Sequence, residues 1–200
     1  MKKLSFHGFD IYKDLLSPGA QASLVEDLRQ VIAQAPMFSP QTPQGQKMSV
    51  RMTSAGFVGW YSDQSGYRYA QTHPAGTVWP EIPDQVLDIW RQVSGVDRLP
   101  DSCLINFYSE NARMSLHQDK DEADLNWPVV SVSLGDDALF RVGQTKRGGQ
   151  TRSVWLQSGD VVVMAGDARL AYHGIDRIRF GSSRLLPKGG RINLTLRIAT

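Results

Sequence analysis

From Cys103 to the C-terminus, the sequence is a series of short apolar segments separated by glycine, aspartate and asparagine. The segments with strand-like composition span residues 103–108, 129–134, 138–142, 153–156, 161–164 and 192–198. Short strands at such intervals predict an antiparallel sandwich or barrel. A βαβ fold is disfavoured because no long helical stretch separates the later segments.

Two helices are predicted ahead of these strands. Ser17 followed by Pro18 is typical of a helix N-cap and a first helical position, and apolar residues then recur at helical spacing until Pro36. A second amphipathic segment begins near Pro83 and stops at Gly95. We therefore predict a mainly β, α+β chain, a double-stranded β-helix (jelly roll) buttressed by N-terminal helices.

Length and composition narrow the class of protein. The chain has 200 residues, of which 41% are hydrophobic and 21% charged, so we expect one domain over residues 1–200. No apolar run approaches the roughly 20 residues that span a bilayer, and the N-terminus lacks the apolar segment of a signal peptide. The single cysteine, Cys103, excludes an internal disulfide, and its apolar neighbours favour a buried core thiol. We expect a cytoplasmic monomer that does not bind membranes.

Charge is distributed unevenly along the chain. Residues 1–137 hold 11 Lys and Arg against 17 Asp and Glu, whereas residues 138–200 hold 11 against 3. The formal net charge of +2 therefore conceals a C-terminal part of net +8. Such asymmetry indicates a polyanionic partner, although a solvated arginine face would give the same pattern.

Two histidines and an aspartate form a candidate metal site. His117 and Asp119 are two residues apart, so on a strand both side chains would project from one face. His173 follows 54 residues after Asp119, and antiparallel strands could bring it to the same place. Two imidazoles and one carboxylate leave three open positions, as in non-haem Fe(II) oxygenases. The alternative is that these histidines lie separately in the core or on the surface.

The last strand has a polar face with an arginine at each end. Between Arg191 and Arg197, odd positions are polar and even positions apolar, which places Arg191, Asn193, Thr195 and Arg197 on one face. If that face points into the barrel, two buried guanidinium groups need a counter-charge, which a five-carbon dicarboxylate could supply between them. The alternative is an exposed edge strand with its arginines in water.

Two motifs connect these features to a known family. The string S-L-H-Q-D-K-D-E at 115–122 and the pattern R-x-N-L-T-x-R at 191–197, together with 104–108, 129–134 and 172–174, closely resemble the AlkB family. The resemblance runs from about residue 42 to the C-terminus. It implies a dioxygenase that uses Fe(II), 2-oxoglutarate and O₂ to remove alkyl lesions of the 1-methyladenine and 3-methylcytosine type. Aldehyde, succinate and CO₂ would be released, and the substrate would be single- or double-stranded DNA, with RNA as a further candidate.

The resemblance also implies roles for individual residues. Asp121 would lie beside the exocyclic group of the base and complete the catalytic set. The implied iron ligands are His117, Asp119 and His173. The implied 2-oxoglutarate contacts are Asn106, Tyr108, Arg191, Asn193 and Arg197.

Residues 57–69 contain five aromatic residues interrupted by glycine and polar residues. Composition alone favours a hairpin with core aromatics, whereas the resemblance implies a nucleotide-recognition lid over about residues 42–80, ahead of a catalytic core over about 100–200. Aromatic faces hold bases that have been extracted from a strand. The implied substrate contacts are Trp60, Tyr67, Tyr69, Asp121, Arg147, Thr42, Met48 and Met52.

Four positions depart from the best-known bacterial pattern of this family: Gln46, Phe107, Met164 and Ala171. Met164 and Ala171 replace larger aromatic residues, so the sequence leaves the preferred lesion open. Two other functions remain candidates. One is a 2-oxoglutarate oxygenase that acts on a small molecule or a protein side chain, and the other is a metal-free β-sandwich that binds nucleic acid.

Overall fold

Strands make up most of the regular structure in residues 2–200, the part of the chain that this computed structural model describes. The helices are α1 (Pro18–Gln34) and α2 (Asp84–Val93), and a 3-10 turn spans Gly166–Ala168. The strands are β1 (Lys2–Phe6), β2 (Phe9–Lys13), β3 (Arg51–Gly56), β4 (Gly59–Asp63), β5 (Gly66–Ala70), β6 (Ser102–Tyr108), β7 (Met114–His117), β8 (Val129–Gly135), β9 (Asp137–Val142), β10 (Arg152–Leu156), β11 (Val161–Met164), β12 (His173–Arg179) and β13 (Arg191–Arg197).

Within residues 2–200 the strands form two large antiparallel sheets and one separate hairpin. The major sheet has seven strands in the order β1-β2-β11-β8-β13-β6-β3, and the minor sheet has four in the order β10-β9-β12-β7. The hairpin consists of β4 and β5. In the major sheet β13 lies between β8 and β6, so both of its edges are hydrogen-bonded.

The two faces of the major sheet pack against different partners. Its outer face is covered by α1 and α2, and its inner face packs on the minor sheet. Side chains alternate accordingly, since Val161 and Val163 meet the helices while Val162 and Met164 meet the minor sheet. The predicted jelly roll buttressed by N-terminal helices is therefore confirmed.

Helix α1 begins where the sequence indicates. The Ser17 side chain accepts a hydrogen bond from the backbone N–H of Ala20 at 3.2 Å, and Pro18 occupies the first turn. Helix α2 starts one residue after Pro83. Neither helix in the described part of the chain has the length and apolar character needed to cross a bilayer.

The first half of the chain contributes more strands than its sequence indicates. Strands β1 and β2 extend the major sheet at one edge through β11, and β3 forms the opposite edge beside β6. The expectation of a helical front half was therefore incomplete. Strand β1 begins with two lysines and is largely exposed at the sheet edge, so its composition gives little signal of a strand.

Gly174 allows β7 and β12 to approach each other closely. A Cβ atom at this position would lie 2.5 Å from the Met114 carbonyl oxygen and 2.8 Å from that of Ser115. We predict that Gly174→Ala lowers the free energy of unfolding by about 1–3 kcal/mol, because the β7 backbone must move. Chemical denaturation measures this loss. The control is Gly19→Ala in α1, where an added Cβ contacts nothing within 4 Å, and equal stability of the two variants would contradict the prediction.

Candidate active site

The structure brings His117, Asp119 and His173 together. His117 ends β7 and pairs directly with His173, which starts β12. The Nε2 atoms of His117 and His173 lie 3.6 Å and 3.7 Å from the two carboxylate oxygens of Asp119. In residues 2–200 this is the one group of three such side chains whose ligand atoms lie within 4.8 Å of one another.

Both imidazoles present the same nitrogen to Asp119. The Nδ1 of His117 donates to the Ser115 carbonyl at 2.8 Å, and the Nδ1 of His173 donates to the Ala171 carbonyl at 3.0 Å. Because a carbonyl can only accept, each Nε2 of a neutral ring keeps a free lone pair. Two lone pairs and a carboxylate converge on one point, and this donor set fits a divalent transition metal.

Burial and charge set the ionisation of this group. Burial alone raises the pKa of Asp119, but the Arg197 guanidinium and the two imidazoles hold that pKa well below its usual range. Burial lowers the pKa of His173 to about 4, although Asp119 acts in the opposite direction. At neutral pH Asp119 is therefore a carboxylate and His173 a neutral imidazole, the forms that bind metal ions.

One local expectation was wrong. The H-x-D spacing predicted that His117 and Asp119 lie on one strand, whereas β7 ends at His117 and Asp119 follows in irregular structure. The two side chains meet although Asp119 lies beyond the end of the strand, and period-2 alternation does not show where the strand ends.

Strand β13 directs its polar face into the space between the sheets. Arg191 is 0% exposed, and its Nη2 donates to Ser133 Oγ on β8 at 3.0 Å. Its guanidinium carbon lies 5.2 Å from the centre of the Tyr108 ring. Asn193 donates to Ser131 Oγ at 2.9 Å. The exposed edge strand considered as an alternative is excluded by this burial.

Arg191 carries donors without acceptors. Within residues 2–200 its Nε and Nη1 atoms have no hydrogen-bond partner, and neither has the Oδ1 of Asn106. A buried guanidinium with two orphaned donors costs free energy that an anionic ligand would recover. A carboxylate fits this environment because its oxygens accept strong hydrogen bonds from charged donors such as Nε and Nη1.

Arg197, at the other end of β13, is already paired. Its guanidinium lies 2.9 Å from Asp119 Oδ1 and 3.0 Å from Glu122 Oε1. Glu122 also pairs with the buried Arg169 at 3.1 Å and accepts the Tyr69 hydroxyl at 2.8 Å. Sequence analysis did not single out Glu122 or Arg169. For Glu122 the acidic end of the 115–122 string was an available signal, whereas for Arg169 we find none.

The metal-binding group and the inward-facing side chains of β13 open into one cavity of about 430 Å³, which Glu122 also lines. The predicted residues that line it are Met48, Met52, Trp60, Tyr67, Asn106, Tyr108, His117, Asp119, Asp121, Arg147, His173, Arg191, Asn193 and Arg197. Much of the remaining wall is apolar, with contributions from Met114, Phe140 and Met164. The cavity thus combines the metal-binding geometry, one unsatisfied cation and an apolar lining.

The β4–β5 hairpin forms one wall of this cavity. Trp60 on β4 stacks on Tyr67 of β5, with ring centres 5.6 Å apart and planes inclined by 20°. The Trp60 indole N–H donates to Asp121 Oδ2 at 2.9 Å. Two aromatic rings and a carboxylate acceptor therefore line the same cavity as the histidines.

Two predicted contacts lie outside the cavity lining. The Thr42 hydroxyl accepts the Gln46 N–H at 3.2 Å and closes a turn. The Tyr69 hydroxyl donates to Glu122, and burial raises the pKa of that hydroxyl above its usual range. Cys103 also lies elsewhere, 0% exposed under the helices, where burial raises its pKa to about 12. The burial of Cys103 confirms the expectation of a core thiol.

Comparison with known proteins places these features in a family. The model of the 2OG-Fe(II) oxygenase superfamily matches residues 8–197. The "Alpha-ketoglutarate-dependent dioxygenase AlkB homolog" of Caulobacter vibrioides (strain NA1000 / CB15N) is 52% identical over 96% of this chain and 88% of that protein. The "DNA N(6)-methyladenine demethylase ALKBH1D" of Arabidopsis thaliana is 30% identical over 95% of this chain and 49% of that protein. The solved structure of OsALKBH1 superposes with a TM-score of 0.80 at 30% identity, covering 98% of this chain and 99% of that one.

The buried His173 predicts how stability depends on pH when metal is removed with a chelator. Its imidazole takes up a proton near pH 6.5 in the unfolded chain but only near pH 4 in the folded one, so acidification across this window favours unfolding. We expect the melting temperature to fall between pH 6.5 and pH 4, and His173→Asn to reduce that slope. The exposed His7 provides the control, since His7→Asn should keep the full slope. An unchanged slope in His173→Asn would contradict the assignment.

Proposed function

The chain belongs to the 2OG-Fe(II) oxygenase superfamily, and we propose that it removes alkyl groups from nucleobases by oxidation. It is a dioxygenase that depends on Fe(II) and 2-oxoglutarate and uses O₂. Relatives named as nucleic-acid demethylases support the substrate class. We propose N-alkylated bases of the 1-methyladenine and 3-methylcytosine type in DNA as the substrates, with RNA as a second substrate.

One observation carries the proposal. A single cavity holds the His117–Asp119–His173 group, the unsatisfied Arg191 and the Trp60 indole. A metal, an anionic cosubstrate and a planar base could therefore occupy adjacent parts of one space, from which water would be largely excluded.

His117, Asp119 and His173 would hold the iron. Their Nε2 lone pairs and carboxylate converge, and the carbonyls of Ser115 and Ala171 fix the ring orientation. When bound, Fe(II) and 2-oxoglutarate would allow O₂ to oxidise the N-alkyl carbon. The alkyl group then leaves as an aldehyde, and 2-oxoglutarate is converted to succinate and CO₂.

Arg191 would hold the carboxylate of 2-oxoglutarate that is remote from the metal. Its two orphaned donors can donate to anionic oxygens, and Tyr108, Asn106 and Asn193 line the same cavity. Arg197 has a different role, because Asp119 and Glu122 already pair with its guanidinium. We assign it to holding the Asp119 carboxylate in its ionised form and in place.

The β4–β5 hairpin would hold the base. Trp60 and Tyr67 offer aromatic faces, and Asp121 can accept a hydrogen bond from an exocyclic amino group. Met48 and Met52 supply flexible apolar contacts. Tyr69 and Thr42 would act indirectly by ordering the lid, and Arg147 at the rim would contact the phosphate backbone.

We propose that the chain acts as a monomer and a single domain. The metal-binding group, Arg191 and the lid all come from one chain, so the site is complete without a second copy. Both single- and double-stranded nucleic acid are candidate substrates. We further propose a cytoplasmic location, in keeping with the free, buried thiol of Cys103.

Demethylation of a defined oligonucleotide tests the proposed function. We expect formaldehyde release from a single strand that carries one 3-methylcytosine, in the presence of Fe(II), 2-oxoglutarate and O₂. Asp119→Ala should reduce this release to background, because it removes one of three metal-binding side chains. Asp167→Ala, on the exposed 3-10 turn, is the matched control and should retain wild-type turnover.

Two outcomes would contradict the proposed function. Succinate formation at one rate with and without the methylated strand, and without formaldehyde, would favour an oxygenase of small molecules or protein side chains. Tight oligonucleotide binding without any 2-oxoglutarate turnover would favour a non-catalytic binding protein.

A further inference from the structure

The outer face of the minor sheet carries an unusual set of side chains. On β9, Ala138, Phe140 and Val142 are buried between the sheets, so the alternate residues Leu139 and Arg141 point outward. None of the roles assigned above uses the strand residues of this outer face.

The register of the minor sheet brings an aromatic ring and arginines together there. Trp155 on β10 pairs with Leu139, which pairs on its other side with Arg177 of β12. The guanidinium carbons of Arg177 and Arg179 lie 5.8 Å and 4.3 Å from the centre of the Trp155 ring. The ring supports both guanidinium groups and leaves their outer edges to solvent.

We define the arginine face as Arg113, Arg141, Arg147, Arg177 and Arg179. Two aspartates lie among them, since Asp176 pairs with Arg141 and Arg177, and Asp137 pairs with Arg179. Five positive charges against two negative ones leave a net positive surface. The side chains of Arg177 and Arg179 remain 64% and 57% exposed, so their ion pairs are accessible to an external anion.

The arginine face is continuous with the cavity that would hold the base. A second cavity of about 590 Å³ is lined by Arg113, Arg141 and Arg147, together with Thr151. It shares Arg147 with the first cavity, as well as Gly174. A chain that leaves the base cavity past Arg147 would therefore meet Arg141 next and then Arg177 and Arg179.

We propose that the arginine face binds the phosphodiester backbone of the nucleic-acid strand beyond the alkylated nucleotide. Arg177 and Arg179 are two residues apart on β12, about 6.6 Å along the strand, so they present charge in a line rather than as an isolated point. A line of cations beside an aromatic-walled cavity suits a single strand, whose backbone is a regular row of anions. This inference rests on the proposed function and extends it to strands longer than the few nucleotides that the cavity can hold.

The test compares a short and a long substrate. The double variant Arg177→Gln/Arg179→Gln changes two exposed residues outside the active site, so its fold and its turnover of a trinucleotide with a central 3-methylcytosine should match the wild type. Its affinity for a 15-nucleotide single strand with the same lesion should fall about 3- to 10-fold. The slope of log affinity against log salt should decrease by about 1.4, because two phosphate contacts are lost.

A matched control shows whether the location of the two arginines matters or only the loss of two positive charges. Arg29→Gln/Arg91→Gln removes two exposed arginines from α1 and α2, away from the arginine face, and should leave affinity and salt slope unchanged. An unchanged slope in the Arg177/Arg179 variant would overturn the proposal, as would equal losses in both double variants. Preferential loss of binding to anionic lipid vesicles would also overturn it, since the surface would then serve a membrane.

Failure of this inference is distinguishable from failure of the proposed function. If the wild type demethylates neither the trinucleotide nor the 15-nucleotide strand, the proposed function fails, whereas the salt slopes still report on the arginine face. If the trinucleotide is demethylated and the salt slopes of the wild type and the Arg177/Arg179 variant are equal, only the proposed role of the arginine face is rejected.

Discussion

The inward-facing charges of β13 are the constraint on which the site depends. This strand lies in the middle of the major sheet, so its polar side chains cannot reach bulk water and must find partners between the sheets. Arg197 pairs with Asp119 and Glu122, and the first of these ion pairs fixes the Asp119 carboxylate of the candidate metal site. The Nη2 atom of Arg191 donates to Ser133, whereas Nε and Nη1 remain available to an anionic ligand.

The same charges connect the lid to the candidate metal site. The Tyr69 hydroxyl on β5 reaches Glu122, which contacts Arg197, which in turn contacts Asp119. The β4–β5 hairpin pairs with neither large sheet, so this route and the Trp60–Asp121 hydrogen bond are two of the contacts that fix its position. The base-binding wall and the proposed iron ligands thus share one network of buried charges.

Much of this arrangement could be predicted from the sequence, because it depends on local periodicity. The apolar segments 129–134 and 161–164 coincide with β8 and β11 within one residue, and the alternation in β13 correctly indicated its inward polar face. The position of Asp119 beside His117, beyond the end of β7, and the burial of Arg169 beside Glu122 depend on tertiary packing, which no periodicity encodes. The roles of the site residues remain predictions until variants are measured.

Binding of 2-oxoglutarate to the Mn(II)-loaded protein, measured by calorimetry for the wild type and for Arg191→Met, tests the central claim most directly. We expect the substitution to cost about 2–5 kcal/mol of binding free energy, because it removes the paired cation. The melting temperature should be retained or rise, since a buried and incompletely paired charge is lost. Arg29→Met, on the exposed surface of α1, should bind like the wild type. Unchanged 2-oxoglutarate affinity in Arg191→Met would contradict the claim that this buried guanidinium holds the cosubstrate.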